Sequence, residues 1–261
     1  MHPLTAMLHR ELKIRTTNAI YVFWDVFFPL GYLLVFGVGM NEALGGPPSS
    51  GPLRQGFGGQ DPVSYNDFFL AGVLGMASLG VAANSSWGFF MDRDNGIFYE
   101  MLTYPMSRAQ YLAGKVLFNV GLALLQAALT LALAMGWLGV DVKWSGMPLT
   151  LFAIAAGTAG WFAFYAIFSL RIRRNDAYNT VTSIFYFVFL FASSIFYPLE
   201  PLPTWFRVAA FANPITWQVD VLRYATIGVG NARTIAIEAA AFAVFGMVSF
   251  WLAVTSLKQQ E

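Results

Sequence analysis

Cysteine is absent from these 261 residues, and charge is scarce. Without cysteine there is no disulfide and no thiolate metal site. Asp, Glu, Lys and Arg make up 11% of the chain, where soluble domains average about 25%. A net charge of +1 gives no basic excess for nucleic acid. Histidine is limited to His2 and His9, both ahead of the first long apolar run, and there is no H-E-x-x-H. Metal-dependent hydrolysis within a membrane therefore has no ligand set. G-x-S-x-G is also missing. Ser85-Ser86 and Ser193-Ser194 have no histidine partner and read as helix-packing residues. Nor is there a G-x-x-x-x-G-K-[ST]. Gly114-Lys115 lacks the upstream glycine spacing and the following Ser or Thr, so the chain carries no P-loop for ATP. No catalytic set, metal or bound cofactor is expected on it.

What is present is apolar. The chain is 57% hydrophobic and 17% aromatic, with a mean hydropathy of +0.57. This composition predicts an all-α membrane protein with one transmembrane domain over residues 1–261. A helix needs about 20 mostly apolar residues to cross the hydrocarbon. Six segments meet or approach that: Ile20–Met40, Phe68–Phe90, Tyr111–Leu138, Pro148–Leu170, Thr180–Tyr197 and Thr234–Leu257. The first is too long, and too polar at its end, for a cleaved signal sequence. An even number of spans puts both termini on one side. Ten of the Lys and Arg residues then share the side of the termini, and five lie on the other. The richer side is expected to be cytoplasmic.

Residues 1–18 read as an interfacial arm. Leu4, Met7, Leu8, Leu12 and Ile14 share one helical arc, with His9, Arg10 and Lys13 opposite, toward lipid headgroups. Glu11 interrupts the apolar arc and has Arg15 at i,i+4 as a candidate partner. The arm is either a plain anchor or a lever acting on the first span.

A polar island, Asn95–Lys115, separates two spans on the expected cytoplasmic side. It reads as a short helix over Ile97–Thr103, stopped before Pro105, with a second helix starting near Ser107. Phe98, Met101 and Leu102 are expected to project an apolar patch suited to a groove, with Glu100 and Arg108 adding charge. The alternative is a helix lying flat on lipid.

On the other side, Asn41–Asn66 is rich in glycine and proline and carries no evident chemistry. The segment 199–228 is different. Thr204 is a candidate cap for a short helix over Trp205–Ala212. Asn213 is placed to cap a second, with Pro214 in its first turn and Gly228 at its end. Neither half is long enough to cross, so the pair predicts a re-entrant hairpin packed against protein. Trp205, Phe206, Trp217 and Tyr224 suit an interface, and Asp220 and Arg223 are spaced to neutralise each other. A surface hairpin is the alternative.

Polar residues within the spans are few: Asp25, Asn84, Asn119, Gln126 and Glu238. Asp25 and Glu238 lie near span ends, where both can snorkel. A proton relay would need several such groups near the midplane, and no half-to-half repeat is visible.

These parts together resemble the membrane subunit of type-2 ABC transporters, the permeases of drug, Nod-factor and polysaccharide exporters. The resemblance covers nearly the whole chain. It rests on the basic arm, Ser64-Tyr-Asn-Asp-Phe-Phe-Leu-Ala-Gly72, the polar island, and Asn213-Pro-Ile-Thr-Trp-Gln-Val-Asp-Val-Leu-Arg223. In the island, Gly96, Glu100, Met101-Leu102, Pro105, Ser107-Arg108 and Gly114-Lys115 match the family pattern, while Tyr104 intrudes between Thr103 and Pro105. The resemblance implies a multi-pass subunit of the inner (plasma) membrane, paired with a second permease copy as a homodimer. Two separate ATPase subunits, which hold ATP and Mg, would dock from the cytoplasm. Residues 95–106 would then be the coupling helix, through Gly96, Phe98, Tyr99, Glu100, Met101, Leu102, Pro105 and Arg108. The hairpin would be the outer gate, through Trp205, Phe206, Asn213, Pro214, Trp217, Asp220 and Arg223. Phe185, Tyr186, Phe189, Phe196 and Tyr197 would either line the path or face neighbouring helices. The cargo class would be a hydrophobic drug, a lipid or a lipid-linked glycan. A secondary transporter or channel without an ATPase is the competing expectation.

Overall fold

The computed structural model describes residues 3–43 and 63–258. His2 and the glycine- and proline-rich stretch at 44–62 lie outside the described residues. Among the described residues all regular structure is helical. In chain order the helices are α1 (Pro3–Thr17), α2 (Ala19–Ala43), α3 (Tyr65–Asp94), α4 (Ile97–Met101) and α5 (Arg108–Gly136). They continue with α6 (Met147–Arg171), α7 (Asn175–Phe191), α8 (Thr204–Phe211), α9 (Pro214–Ile227) and α10 (Ala232–Lys258).

Local chemistry sets most of these boundaries. Ser64 starts α3 with a reciprocal capping box. Its hydroxyl accepts from the Asp67 backbone N–H at 3.1 Å, and the Asp67 carboxylate accepts from the Ser64 N–H at 3.0 Å. Ser107 does the same for α5 with Gln110. Asn213 caps α9 ahead of Pro214, and Gly228 closes it at φ 75. Thr204 is no cap: Pro203 holds that position, without a side-chain bond.

Among the described residues four helices are long and apolar enough to cross a membrane: α3, α5, α10, and α6 taken with the 3-10 turn Trp144–Gly146 that precedes it. In α2 the shorter run Asp25–Met40 is comparably apolar. The fifth expected span shifts the most. It was expected to end at Tyr197, but α7 stops at Phe191, where Ala192 leaves helical geometry and the chain bends toward Pro198. At 1.5 Å per residue, α8 and α9 are about 12 and about 21 Å long. Neither crosses a hydrocarbon core of about 30 Å alone.

The axis of the bundle is α3, whose apolar window is 83% buried, against 22% for peripheral α10. It packs most extensively against α6, then α2, α9 and α5. Bonds between helix ends define two ends of the bundle. At one, the arm α1 meets the end of α3 and the start of α5, and Arg171 binds Ser256 Oγ at 2.9 Å. At the other, α9 meets α3, α6 and α10, and α8 packs against α9. There the Lys143 N–H donates to Thr226 O at 2.7 Å, and Tyr65 donates to Phe196 O at 3.0 Å. These are called the arm end and the hairpin end.

At the hairpin end, α6 meets α9 backbone to backbone. A Cβ at Gly146 would lie 1.8 Å from Ala225 O, whereas one at Gly88 would meet nothing within 4 Å. Gly146→Ala is expected to lower thermal stability by the equivalent of about 1–3 kcal/mol. Gly88→Ala is expected to leave it unchanged or raise it by up to about 1 kcal/mol. Melting curves of the purified variants check both.

Candidate functional site

The arm end holds the polar island and a buried ion cluster that sequence reading missed. Gly96 sits at φ 77, a left-handed turn that lets α4 leave the end of α3 sharply. Phe98 is 0% exposed and packs edge-on to Phe89 and Tyr111, with ring centroids 5.6 and 5.2 Å apart. The expected outward patch is therefore corrected. Phe98 points inward, and Met101 and Leu102 are half-buried against the same core. The exposed face consists of Tyr99, Glu100, Thr103, Tyr104 and Pro105. The helix also stops at Met101, two residues short of the expected Thr103. Arg108 reaches across to Leu257 O at 3.4 Å.

Behind this face lie four charges, two of each sign. Arg10 forks onto Asp92 at 2.6 and 3.2 Å and touches Glu11 at 3.0 Å. Lys115, 2% exposed, lies 2.9 Å from both Glu11 and Asp92. Tyr111 donates to Asp92 at 2.6 Å. Burial works against the charge on Arg10, but the hydrogen bonds and charge of Asp92, with Glu11 adding, raise its pKa above the ordinary guanidinium value. Gly114 makes room beside Lys115, since a Cβ there would lie 2.5 Å from Met7 Cγ.

This corrects the expected arm. Glu11 pairs with Arg10 and Lys115 rather than Arg15, and Arg10 faces protein rather than headgroups. Of the apolar arc, Met7 is buried, whereas Leu12 and Ile14 are exposed. Arg15 instead reaches Asp25 at 2.6 Å.

That contact opens onto a cleft of about 550 Å³ between α2, α3, α5 and α7. Three of the expected polar residues meet there. Asn84 donates to the Asp25 carboxylate, and Gln126 to the Asp25 backbone oxygen. Asp25 is thus held by partners within the protein rather than snorkelling. Asn119 stands apart, bonded to Ser85 and to Lys115 O. The aromatic walls include Phe28, Tyr32, Tyr178, Tyr186, Phe187 and Phe191, with Thr182 and Ser183 among them. Of the five expected path residues only Tyr186 lines the cleft. Phe185 and Phe189 turn away onto Phe164, Phe196 packs on Phe36 and Phe69, and Tyr197 on Phe206.

At the hairpin end, Arg223 donates to Asp220 and, at 2.8 Å, to Ser194 O, and lies 4.1 Å over the Phe68 ring. Asn213 also donates to Ala192 O at 2.6 Å, tying α9 to the end of α7. Trp217 Nε1 donates to Phe211 O at 2.7 Å. Trp205 is exposed, and α8 as a whole is the less buried half.

A family model described as ABC-2 type transporter matches residues 2–227, which takes in every helix but α10. The chain belongs to the ABC-2 type transporter family. It is a membrane component of a transport permease, and permeases of this family work with ABC ATPases. Among curated proteins it is similar to the ycf38 transport permease of Cyanophora paradoxa, at 23% identity over 85% of this chain and 72% of the relative. It is also similar to that of Porphyra purpurea, at 26% identity over 62% of this chain and 56% of the relative.

Removing one member of a buried ion cluster leaves its partner unpaired, at a cost of about 3–5 kcal/mol. Lys115→Met is expected to destabilise the purified permease by that order. Adding Glu11→Gln removes the stranded carboxylate and is expected to recover part of the loss. Thermal melts of the single and double variants decide it.

Proposed function

We propose that this chain is the membrane half of an ATP-driven exporter. It lies multi-pass in the inner (plasma) membrane, with both termini and the arm end cytoplasmic. It works as a homodimer with two copies of a separate ATPase, and α4 is the docking element. The observation that carries this reading is the exposed face Tyr99, Glu100, Thr103, Tyr104 and Pro105, anchored from behind by buried Phe98, in a family whose permeases work with ABC ATPases. The chain's lack of a P-loop fits that division of labour.

In this reading, ATPase closure presses α4. Phe98 and Tyr111 carry the push to the ion cluster, and so to the arm, α3 and α5 together. The path forms where the cleft of one copy faces the other. Exposed Phe23, Phe27 and Val35 of α2 and Ile184 and Phe187 of α7 supply the apolar rim. Among the described residues lining the cleft there is no Lys or Arg, and its one carboxylate is already bonded. A hydrophobic drug or lipid therefore suits it better than a phosphate-linked glycan. The hairpin closes the far side.

Glu100→Arg and Tyr104→Asp are each expected to reduce co-purification of the ATPase about tenfold or more, with vanadate-sensitive ATP hydrolysis falling in parallel. Neither substitution should shift the melting point of the permease. Cargo transport by the purified chain alone in liposomes would overturn the proposal in favour of a secondary transporter or channel.

A further inference from the structure

The hairpin end contains a pocket of about 220 Å³ between α9, α10, the start of α3 and the turn after α7. Its charged lining is unbalanced: Glu200, Asp220 and Glu238 face a single cation, Arg223. Arg223 has one nitrogen, Nε, without a hydrogen bond among the described residues, but its other two nitrogens and its face are already engaged, by Asp220, by the Ser194 carbonyl and by the Phe68 ring. Glu238 is not. It is 7% exposed, lies about 9 Å along α10 from its first residue, and its Oε2 makes no hydrogen bond among the described residues. A buried carboxylate oxygen without a partner is costly. What it lacks is a donor, and charged N–H donors satisfy it best. Among the described residues no three His, Cys, Asp or Glu come together as a metal site. The pocket is also far larger than one water molecule's share of about 30 Å³. Of its remaining walls, Phe68, Leu199, Phe211, Val229 and Ile235 are apolar, and Ser194, Asn231 and Thr234 are polar.

We propose that this pocket binds a primary ammonium group carried on an apolar body, with Glu238 as the counter-ion. The ammonium donates to Glu238, Glu200 at the rim adds attraction, and the aromatic and aliphatic walls cover the body. Arg223 stays on Asp220 and prevents the second carboxylate from competing. Two sources share this chemistry: a free lipophilic amine and the ethanolamine headgroup of a phospholipid. Binding needs no ATP, no ATPase and no second copy, so its test is separate from that of the transport reading.

The test uses the purified full chain in phosphatidylcholine nanodiscs, with ligand binding followed by saturation-transfer NMR. Phenethylamine is expected to bind about tenfold or more tightly than phenethyl alcohol. Glu238→Gln should abolish that preference, and Glu238→Asp should keep it. Phosphatidylethanolamine in the disc weakens phenethylamine if the headgroup is the occupant, and leaves it unchanged if the free amine is; both results uphold ammonium binding. Equal binding of amine and alcohol, a preference that survives Glu238→Gln, or tighter binding of phenylpropionate overturns the proposal. Should Glu238→Gln not fold, carbodiimide labelling of Glu238 in the unaltered chain replaces it. Phenethylamine slows the labelling and phenethyl alcohol does not, or the proposal fails.

Discussion

The contact on which most of this molecule depends is Lys115 held between Glu11 and Asp92. One ammonium group, buried and 2.9 Å from each carboxylate, ties three elements together. These are the arm, the end of the central helix and the start of α5. The fit is electrostatic before it is steric. Two cations and two carboxylates cancel, so the cluster can sit where an isolated charge could not. Tyr111 couples it to the ring cluster under α4, since the hydroxyl that serves Asp92 and the ring that supports Phe98 belong to one side chain. The polar island is therefore not a loop loosely hung on a bundle. Its position is fixed by the same residues that fix the arm.

The two ends of the bundle solve the problem of buried charge in different ways. The ion cluster at the arm end is balanced, two against two. The hairpin end pairs Arg223 with Asp220 and spreads its remaining charge over a carbonyl and the Phe68 ring, leaving Glu238 aside. The cleft between them follows the first pattern on a smaller scale, with Asp25 taken up by Arg15 and two amides. A charge belonging to the arm thus reaches the floor of the central cleft. Arg10 and Arg15, five positions apart, connect one short helix to both sites.

Much of the fold was legible in the sequence because the membrane imposes it. Apolar length gave the long helices to within a few residues. Ser107, Asn213, Pro214 and Gly228 marked their boundaries by chemistry that acts locally. The short spacing of Asp220 and Arg223 made their pairing readable. What the sequence hid was long-range. Glu11 read as a flaw in an apolar arc, and Lys115 as half of a motif without a role; each is the explanation of the other, but no periodicity links positions so far apart. The facing of Phe98 was hidden for a related reason. In a five-residue helix the buried side is set by what lies beneath it, and Phe89 and Tyr111 come from two different helices. On α7 the aromatic run concealed two faces, one toward the cleft and one toward Phe164.

The ion cluster also orders the making of the protein. Arg10 leaves the ribosome 82 residues ahead of Asp92, and Glu11 104 residues ahead of Lys115. During that interval Arg10 and Glu11 have only each other, so the arm stays in a polar setting while α2 and α3 are inserted beside it. Only when the start of α5 is made does the arm acquire its seat. Docking of the first helix thus waits for the start of α5, and a chain broken off before Lys115 leaves Glu11 and Asp92 sharing one cation of the cluster, Arg10, a chemical mark of an unfinished product.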